Sequence, residues 1–250
     1  MAKCTIVTIW NNKEAFRQFQ ENLADQIGDN YTILPIENAN NQFPGARQAY
    51  NAVLGQIDTE YVIFAHQDIR FFERDTLEKL IEELDKLGEF GVVGVAGCPA
   101  GDQWQVIGNI VHGQDAEAVG PTIETAQRVQ SGDECLYVMK NKTVQELGYS
   151  DLEGWHLYAV EQCIRAEAIG LPNYVVPIKL WHLSKGNSLD PSYLKWLKVI
   201  QRRYSLVGLL NTTIKPWEFG TIKGSVYIYL YYWKQKIKQT MKKMGLWEGR

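Results

Sequence analysis

The triplet His66-Gln67-Asp68 stands at the exit of a continuous apolar run, Tyr61-Val62-Ile63-Phe64-Ala65. Such a run reads as a strand buried on both faces, and residues just past the carboxyl end of a strand of this kind face the crevice where α/β sheets bind ligands. An aspartate there offers hard carboxylate oxygens, suited to Mg²⁺ or Mn²⁺ bridging the diphosphate of a nucleotide. The competing reading makes Asp68 the start of the turn before Arg70-Phe71-Phe72. Two other chemistries fall away. Cys4, Cys98, Cys135 and Cys163 are far apart with no Cys-x-x-Cys pair, which argues against a structural zinc site. Gly91, Gly94 and Gly97 lie inside a strand-like run with no acidic residue at dinucleotide-site spacing, and they read as close packing.

A sheet must present the triplet. Residues 5–10 are β-rich, and residues 13–27 set Phe16, Phe19, Leu23 and Ile27 at helical spacing. Residues 31–36 read as a strand and residues 46–57 as a helix after the Pro44-Gly45 turn. Asp75 caps a further helix through Leu87, with Leu77, Leu80, Ile81 and Leu84 facing inward, and residues 91–97 return as a buried strand. This β-α-β-α-β alternation predicts a mostly parallel sheet with right-handed crossovers. Beyond it the pattern lapses. Residues 104–111 and 135–140 read as strands, 113–125 as an aperiodic mobile loop, 155–170 as a helix stopped at Gly170, and 174–177 as a last short strand.

Composition places these elements in an ordinary folded protein. The chain has 250 residues, 45% hydrophobic and 22% charged, which excludes collagen-like, low-complexity and wholly disordered classes. Met1-Ala2-Lys3 leads straight into Thr5-Ile6-Val7-Thr8-Ile9, too short and too strand-like for the apolar core of a signal peptide, so a reducing cytosol is the expected setting. The net charge of −3 hides an asymmetry, because residues 195–250 hold 12 Lys/Arg against Glu218 and Glu248. That segment should meet either an anionic surface or the acidic remainder of its own protein.

The strand order and the triplet together resemble the nucleotide half of GT-A glycosyltransferases, whose usual triplet is Asp-x-Asp; His66 occupies the first position here. Residues 61–69 are similar to the smaller bacterial family-2 members, including those resembling the streptomycin-cluster glycosyltransferase, in which a His-Gln-Asp version occurs. Further segments are similar in the same order. Thr8-Ile9-Trp10-Asn11 and Ile36-Glu37-Asn38 match two strand ends that hold uracil and ribose in the family, with Glu37 in place of the usual Asp. Gly45-Ala46-Arg47-Gln48-Ala49-Tyr50-Asn51 matches a helix start that faces the nucleotide. The resemblance therefore implies nucleotide contacts at Thr8, Trp10, Asn11, Glu37, Asn38, Arg47, Asn51, His66 and Gln67, although each asparagine taken separately reads as a cap or turn residue.

Ser131-Gly132-Asp133-Glu134-Cys135-Leu136 resembles the family segment that lines the donor-sugar pocket, which implies Asp133 and Glu134 as partners for sugar hydroxyls. His182-Leu183-Ser184-Lys185-Gly186 is similar to a late His-x-Ser-x-Gly segment, which implies His182 beside Asp68 on the cation and Ser184 and Lys185 toward the phosphates. Residues 154–165 are similar to a helix that normally begins with Glu-Asp and continues Val-Asp-Leu-Cys-x-Arg. Aligned on Arg165, the Glu-Asp pair falls on Tyr158-Ala159, so the customary catalytic Asp is absent. An inverting transfer needs a carboxylate or imidazole within reach of the acceptor hydroxyl. Glu161 is the first choice and His156 the next, with Asp151 and Glu153 behind them; a Glu161–Arg165 helix ion pair is the competing reading. Trp155 would stack on an acceptor sugar or sit in the core.

The resemblance implies a GT-A-like α/β domain over residues 1–187, a Rossmann-like mixed sheet flanked by helices, followed by a basic aromatic helical extension over residues 188–250. Its expected activity is Mn²⁺- or Mg²⁺-dependent transfer of a sugar from a nucleotide-sugar, a UDP-sugar by resemblance, to a hydroxyl of a glycan or lipid-linked glycan, with inversion, in surface polysaccharide or glycoconjugate synthesis. The missing acid at Ala159 keeps open a non-catalytic nucleotide-sugar or glycan-binding module. In the extension, residues 226–233 are too short an apolar run to cross a bilayer and are followed by Lys234, Lys236, Lys238, Lys242 and Lys243. A membrane-surface helix and a contact with its own domain or a twin subunit both fit; a nucleic-acid partner is not expected. The expected location is cytoplasmic, at the inner face of the membrane if the extension binds lipid.

Overall fold

The computed structural model describes residues 2–28, 30–184 and 189–244. The first half runs β1 (Cys4–Trp10), α1 (Lys13–Ala24), β2 (Tyr31–Glu37), α2 (Ala46–Asn51), β3 (Tyr61–Ala65), β4 (Ile69–Phe71), α3 (Thr76–Leu87), β5 (Val93–Gly94), β6 (Ala96–Cys98), β7 (Ile107–Gly108), β8 (Ile110–His112) and β9 (Glu117–Ala118). The second half runs β10 (Gln127–Val129), β11 (Ser131–Gly132), β12 (Leu136–Lys140), α4 (Asn141–Leu147), α5 (Tyr158–Ala168), β13 (Asn173–Val175), β14 (Leu180–His182), α6 (Pro191–Arg203), β15 (Leu209–Asn211), β16 (Pro216–Glu218) and α7 (Ile222–Lys243).

The main sheet has the order β10-β13-β5-β12-β3-β1-β2. Strands β1, β2 and β3 are parallel, as the alternation predicts, but β12 enters antiparallel to both β3 and β5, so the sheet is mixed. Strand β3 is buried along its whole length. Its side chains alternate between two cores: Tyr61, Ile63 and Ala65 pack with Phe16 and Phe19 of α1 and with Leu80 and Leu84 of α3, while Val62 and Phe64 pack with Tyr50 of α2, Val144 of α4 and Ala159 of α5. This period-two division of one apolar run is what sandwiches the sheet between helices.

Several predicted boundaries move. Helix α1 is capped by Asn12, whose side chain accepts from the N–H groups of Glu14 and Ala15, and it ends at Ala24 rather than Ile27. The Ile27 N–H donates to the Arg74 carbonyl and the Gln26 amide bridges Glu73 and Leu77, so the chain leaves the helix to tie itself to the start of α3. Asp75 precedes α3 without a side-chain capping bond. Helix α2 stops at Asn51, followed by a single 3₁₀ turn at Leu54–Gln56.

Residues 91–97 do not form one strand. Val93–Gly94 belongs to the main sheet, and Ala96–Cys98 pairs instead with β11 and β7 in a small sheet. The glycines permit the crossing: a Cβ on Gly91 would strike the Ala166 methyl, and one on Gly97 would meet the Ser131 carbonyl. The stretch 113–125, read as an aperiodic loop, contributes β9 to a sheet of order β4-β14-β8-β9. Strand β14 was not foreseen as a strand. It pairs His182 with Ile69 of β4 on one side and with His112 of β8 on the other.

The segment after residue 188 adds helices α6 and α7 and also a hairpin, β15–β16. A third core joins Leu157, Val160 and Ile164 of the α5 region to Leu194, Leu197, Ile200, Trp217 and Ile228. The hairpin is anchored from the other side by Ser131, whose hydroxyl donates to the Asn211 carbonyl, and by Gln130, whose amide holds both Leu209 and Asn211.

Candidate active site

Two cavities meet at the carboxyl end of β3. The outer one is a cleft of about 530 Å³ lined by Ile9, Asn11, Asn12 and Ala15 of the β1–α1 turn, Asn38 and Asn41 after β2, Ala46 and Tyr50 of α2, Ala65 to Asp68, Trp155 and Tyr158. The inner one, of about 180 Å³, is walled by His66, His112, Asp133, Glu134, Leu157, His182, Tyr193, Thr212 and Thr213, among others. His66 lines both.

Asp68 and His182, far apart in the chain, are brought together by backbone pairing. Strand β4 begins right after Asp68, β14 lies antiparallel to it, and the Leu183 N–H donates to the Asp68 carbonyl at 3.0 Å. Asp68 Oδ1 then lies 3.4 Å from His182 Nε2 and 4.0 Å from His66 Nδ1. One ligand-type atom from each of His66, Asp68 and His182 falls within 4.8 Å of the others. The donor set fits a divalent cation. His66 uses Nε2 on the Tyr158 hydroxyl at 2.7 Å, which leaves Nδ1 facing Asp68, and the other ring nitrogen of His182, Nδ1, is buried without a hydrogen-bond partner among the described residues. A carboxylate with two imidazoles suits Mn²⁺ better than Mg²⁺, which prefers oxygen ligands throughout.

Charge is distributed unevenly around this junction. Burial presses His66 down to about 4, so its ring is neutral at pH 7. Burial also disfavours the charge on Asp68, but the hydrogen bond and charge of His182 outweigh it and hold the carboxyl at about 2. Burial likewise opposes the charge of His182, yet Asp68 prevails and raises it. Asp133 is shifted downward: burial resists ionisation, while His182 and the Cys135 N–H, which donates to Asp133 Oδ1 at 2.9 Å, override it. Its other oxygen accepts from the Thr213 hydroxyl at 3.1 Å. Glu134 behaves in the opposite way. Burial, with the Asp133 charge beside it, pushes its carboxyl up to about 8, against the pull of Arg47 and of the backbone N–H groups of Tyr158 and Ala159.

Glu134 occupies the mouth of α5. Its Oε1 accepts from the Tyr158 N–H at 2.7 Å, at the helix N-terminus where orphan donors and the helix dipole favour a carboxylate. The residue just before, Leu157, sits in the left-handed region at φ 63°, an uncommon conformation for a branched side chain, and lines the inner pocket. The phenols of Tyr50, Tyr158 and Tyr193 also face Glu134, and burial keeps them protonated.

Residues 5–190 match the family described as "Glycosyltransferase like family". The chain belongs to the glycosyltransferase-like family. A curated relative from Fuscovulum blasticum, "ATP synthase subunits region ORF 6", is 30% identical over 154 residues, covering 58% of this chain and 59% of the relative. Among solved structures, S. aureus TarS 1-349 in complex with UDP-GlcNAc superposes with a TM-score of 0.56 at 13% identity, covering 81% of this chain and 66% of that one. The mannosyltransferase PcManGT from Pyrobaculum calidifontis, in complex with GDP-Man and Mn²⁺, superposes with a TM-score of 0.52 at 12% identity, covering 80% and 61%. These likenesses carry the fold, the GT-A arrangement expected from the sequence. The chain spans about three-fifths to two-thirds of the length of these relatives.

The structure gathers part of the expected glycosyltransferase site. Asn11, Asn38, His66, Gln67, Asp68 and Trp155 line the outer cleft, and Asp133, Glu134 and His182 line the inner pocket. Gln67 shapes the cleft: its amide donates to Asn11 Oδ1 and its carbonyl oxygen accepts from the N–H groups of Asn11 and Asn12. The Ser184 hydroxyl lies 2.9 Å from His182 Nε2, and Lys185 lies outside the described residues.

Other expected residues are turned elsewhere. Thr8 is buried within β1, and Trp10 stacks on Phe16 at 5.3 Å. Glu37 is exposed at the end of β2, its carbonyl taken by the Gln42 amide. Asn51 spends both ends of its amide on the backbone of Tyr149. Arg47 is fully buried and, with Glu161, forms an ion pair at 2.5 Å under the far side of α5. Glu161 also accepts from the hydroxyls of Ser150 and Tyr204 and lines neither cavity, so the structure places it in an ion-pair network and not at the cavities. Arg165, the partner proposed for it, instead donates to the carbonyls of Leu147 and Gly148. His156 lies against Asp190 and the Tyr193 ring and lines neither cavity.

Sequence reasoning missed Tyr50, Tyr158, His112 and the hairpin residues Thr212 and Thr213. Tyr158 carried a signal, since it opens the matched helix. The hairpin carried none, because it reaches the pocket only by folding back across the whole domain.

Proposed function

We propose that this chain transfers a sugar from a nucleoside diphosphate sugar to a hydroxyl acceptor, with the nucleotide in the outer cleft, the sugar at the inner pocket, and the diphosphate at the junction formed by His66, Asp68 and His182. The observation that carries the reading is that junction: a cleft of ligand size meets a smaller inner pocket at His66, with Asp68 on the outer side and His182 on the inner one, and the ligand atoms of the three converge within 4.8 Å. Asp68 and His182, with His66 beside them, would hold the cation, Mn²⁺ before Mg²⁺. When bound, it neutralises the charge that builds on the departing diphosphate. The sugar–nucleotide complexes of the two similar structures support a nucleotide-sugar donor, and the family resemblance favours a UDP-sugar.

Glu134 is the proposed proton acceptor in place of Glu161. Its carboxylate is held at the first turn of α5, where the aligned family sequence has the acid that Ala159 lacks, and it opens on the inner pocket. In a single displacement the acceptor oxygen bonds to the anomeric carbon as the bond to phosphate breaks; the electron pair leaves with the diphosphate and the hydroxyl proton passes to Glu134, giving inversion. Asn11 and Asn38 would bind the nucleoside, Trp155 would stack on the acceptor, and Asp133, fixed by Thr213 and Cys135, would accept from donor-sugar hydroxyls. Residues 1–187 are read as the transferase unit and residues 188–250 as an extension that closes its inner pocket. A glycan acceptor and a cytoplasmic setting complete the reading.

The test is isothermal titration of UDP-sugars with and without Mn²⁺, followed by turnover with hydroxyl acceptors. Metal-dependent donor binding that Asp68→Ala abolishes is expected. Donor binding unaffected by chelation and by Asp68→Ala would break the junction assignment. The absence of an acid at Ala159 favours one second reading, a non-catalytic nucleotide-sugar or glycan-binding module, which predicts donor binding with neither transfer nor slow hydrolysis.

A further inference from the structure

Helix α7 has two apolar faces, and the fold uses only one. Gly224 and Ile228 are buried, with Tyr231 and Tyr232 packed beside them against the third core. On the opposite side Ile222, Val226, Tyr229, Leu230, Trp233 and Ile237 fall within an arc of about 100°, given about 100° per residue. They stay open to solvent: Leu230 is 60% exposed, Trp233 49% and Ile237 57%. Lysines border this stripe on both sides, Lys223 and Lys234 along one edge, Lys236 and Lys243 along the other. Helices α6 and α7 together carry ten basic residues and no acidic one.

We infer that this outer face of α7 docks the protein on an anionic lipid surface. The helix would lie in the plane of the bilayer interface, its stripe at the level of the acyl boundary and its lysines reaching back to headgroup phosphates. Tyr229 and Trp233, each with an apolar body and a polar edge, suit that depth. Among the described residues no helix is long and apolar enough to cross a membrane, so the contact is peripheral. A second copy is the poorer occupant, because antiparallel or parallel pairing of two such stripes would set lysine edge against lysine edge. The inference stands apart from the catalytic reading, since it uses no residue of either cavity.

The test is co-sedimentation of the full chain with vesicles of phosphatidylcholine alone and of phosphatidylcholine mixed with phosphatidylglycerol. Binding to the mixed vesicles, weakened by added salt, is expected. The double substitution Lys234→Glu/Lys236→Glu should reduce partitioning at least about ten-fold. Leu230→Ser/Trp233→Ser should do the same while leaving the thermal transition unmoved, because both side chains are exposed. No binding to the mixed vesicles, equal binding to neutral ones, or wild-type binding by both variants overturns the inference. So does a vesicle-free dimer, seen by sedimentation velocity, that these same substitutions dissociate.

Discussion

Two glutamates at the start of helix α5, one buried within it and one partly buried at its mouth, have opposite fates. Glu161, on its far side, is paired with Arg47 and receives hydroxyls from Ser150 and Tyr204. Glu134, at its mouth, has the Asp133 charge as a neighbour and only backbone N–H groups and the more distant Arg47 to offset it. Partial loss of solvation alone therefore does not distinguish a structural acid from a chemical one. A full set of partners with no route to a cavity makes the first; an incomplete set facing a cavity makes the second, because there the proton can come and go near neutral pH.

The comparison breaks most visibly in turnover. Glu134→Gln should lower the transfer rate by about 10² to 10⁴-fold with donor affinity nearly unchanged, measured as single-turnover rate against calorimetric binding. If Glu161→Gln, folded by circular dichroism, lost turnover to that degree while Glu134→Gln kept it, the two roles would be exchanged.

The next largest effect is on stability. Glu161→Ala leaves the Arg47 guanidinium buried without its carboxylate and should cost about 3–5 kcal/mol in urea unfolding. Replacing both partners, Arg47→Leu with Glu161→Leu, should recover much of that loss, since no uncompensated charge remains. A loss from Glu161→Ala below about 1 kcal/mol, the level of exposed pairs, would mean the site is wetter than its geometry implies.

The subtlest sharpening is by pH. Only ionised Glu134 accepts a proton, so the transfer rate should rise with pH and level off above an apparent pKa of about 8. Asp133→Asn removes the neighbouring charge and should move that limb to lower pH. The sign for stability is the reverse of the usual carboxylate case. The folded protein holds a proton on Glu134 that the unfolded chain has already released, so wild type should lose stability relative to Glu134→Gln as pH rises from the ordinary carboxylate range through about 8. Paired melts of the two proteins across that window measure it.

The parts of the fold that were legible are those where one run of residues carries the whole signal. Strand β3 is an unbroken apolar segment, α3 has its Leu77-Leu80-Ile81-Leu84 stripe, and His66-Gln67-Asp68 follows β3 directly, so periodicity and adjacency placed the triplet at a crevice. Boundaries were less legible. Ile27 fits the helical period of α1, yet a backbone bond to Arg74 takes it out of the helix. Glycines at 91 and 97 hide a change of sheet, because the contacts that require them, to Ala166 and Ser131, come from far along the chain.

By itself the sequence determined the layered α/β plan, the polar triplet at the exit of β3 and the basic aromatic extension, since each is a local pattern of polarity and charge. Only the tertiary structure decided which acid opens on a cavity. Glu134 and Glu161 are both short-range unremarkable, and what separates them is the long-range placement of Arg47, Tyr204, Asp133 and the N-terminus of α5, which sets their solvation and their partners. Electrostatic roles depend on the distances between groups in space, and those distances exist only once the sheet and its crossing helices have closed.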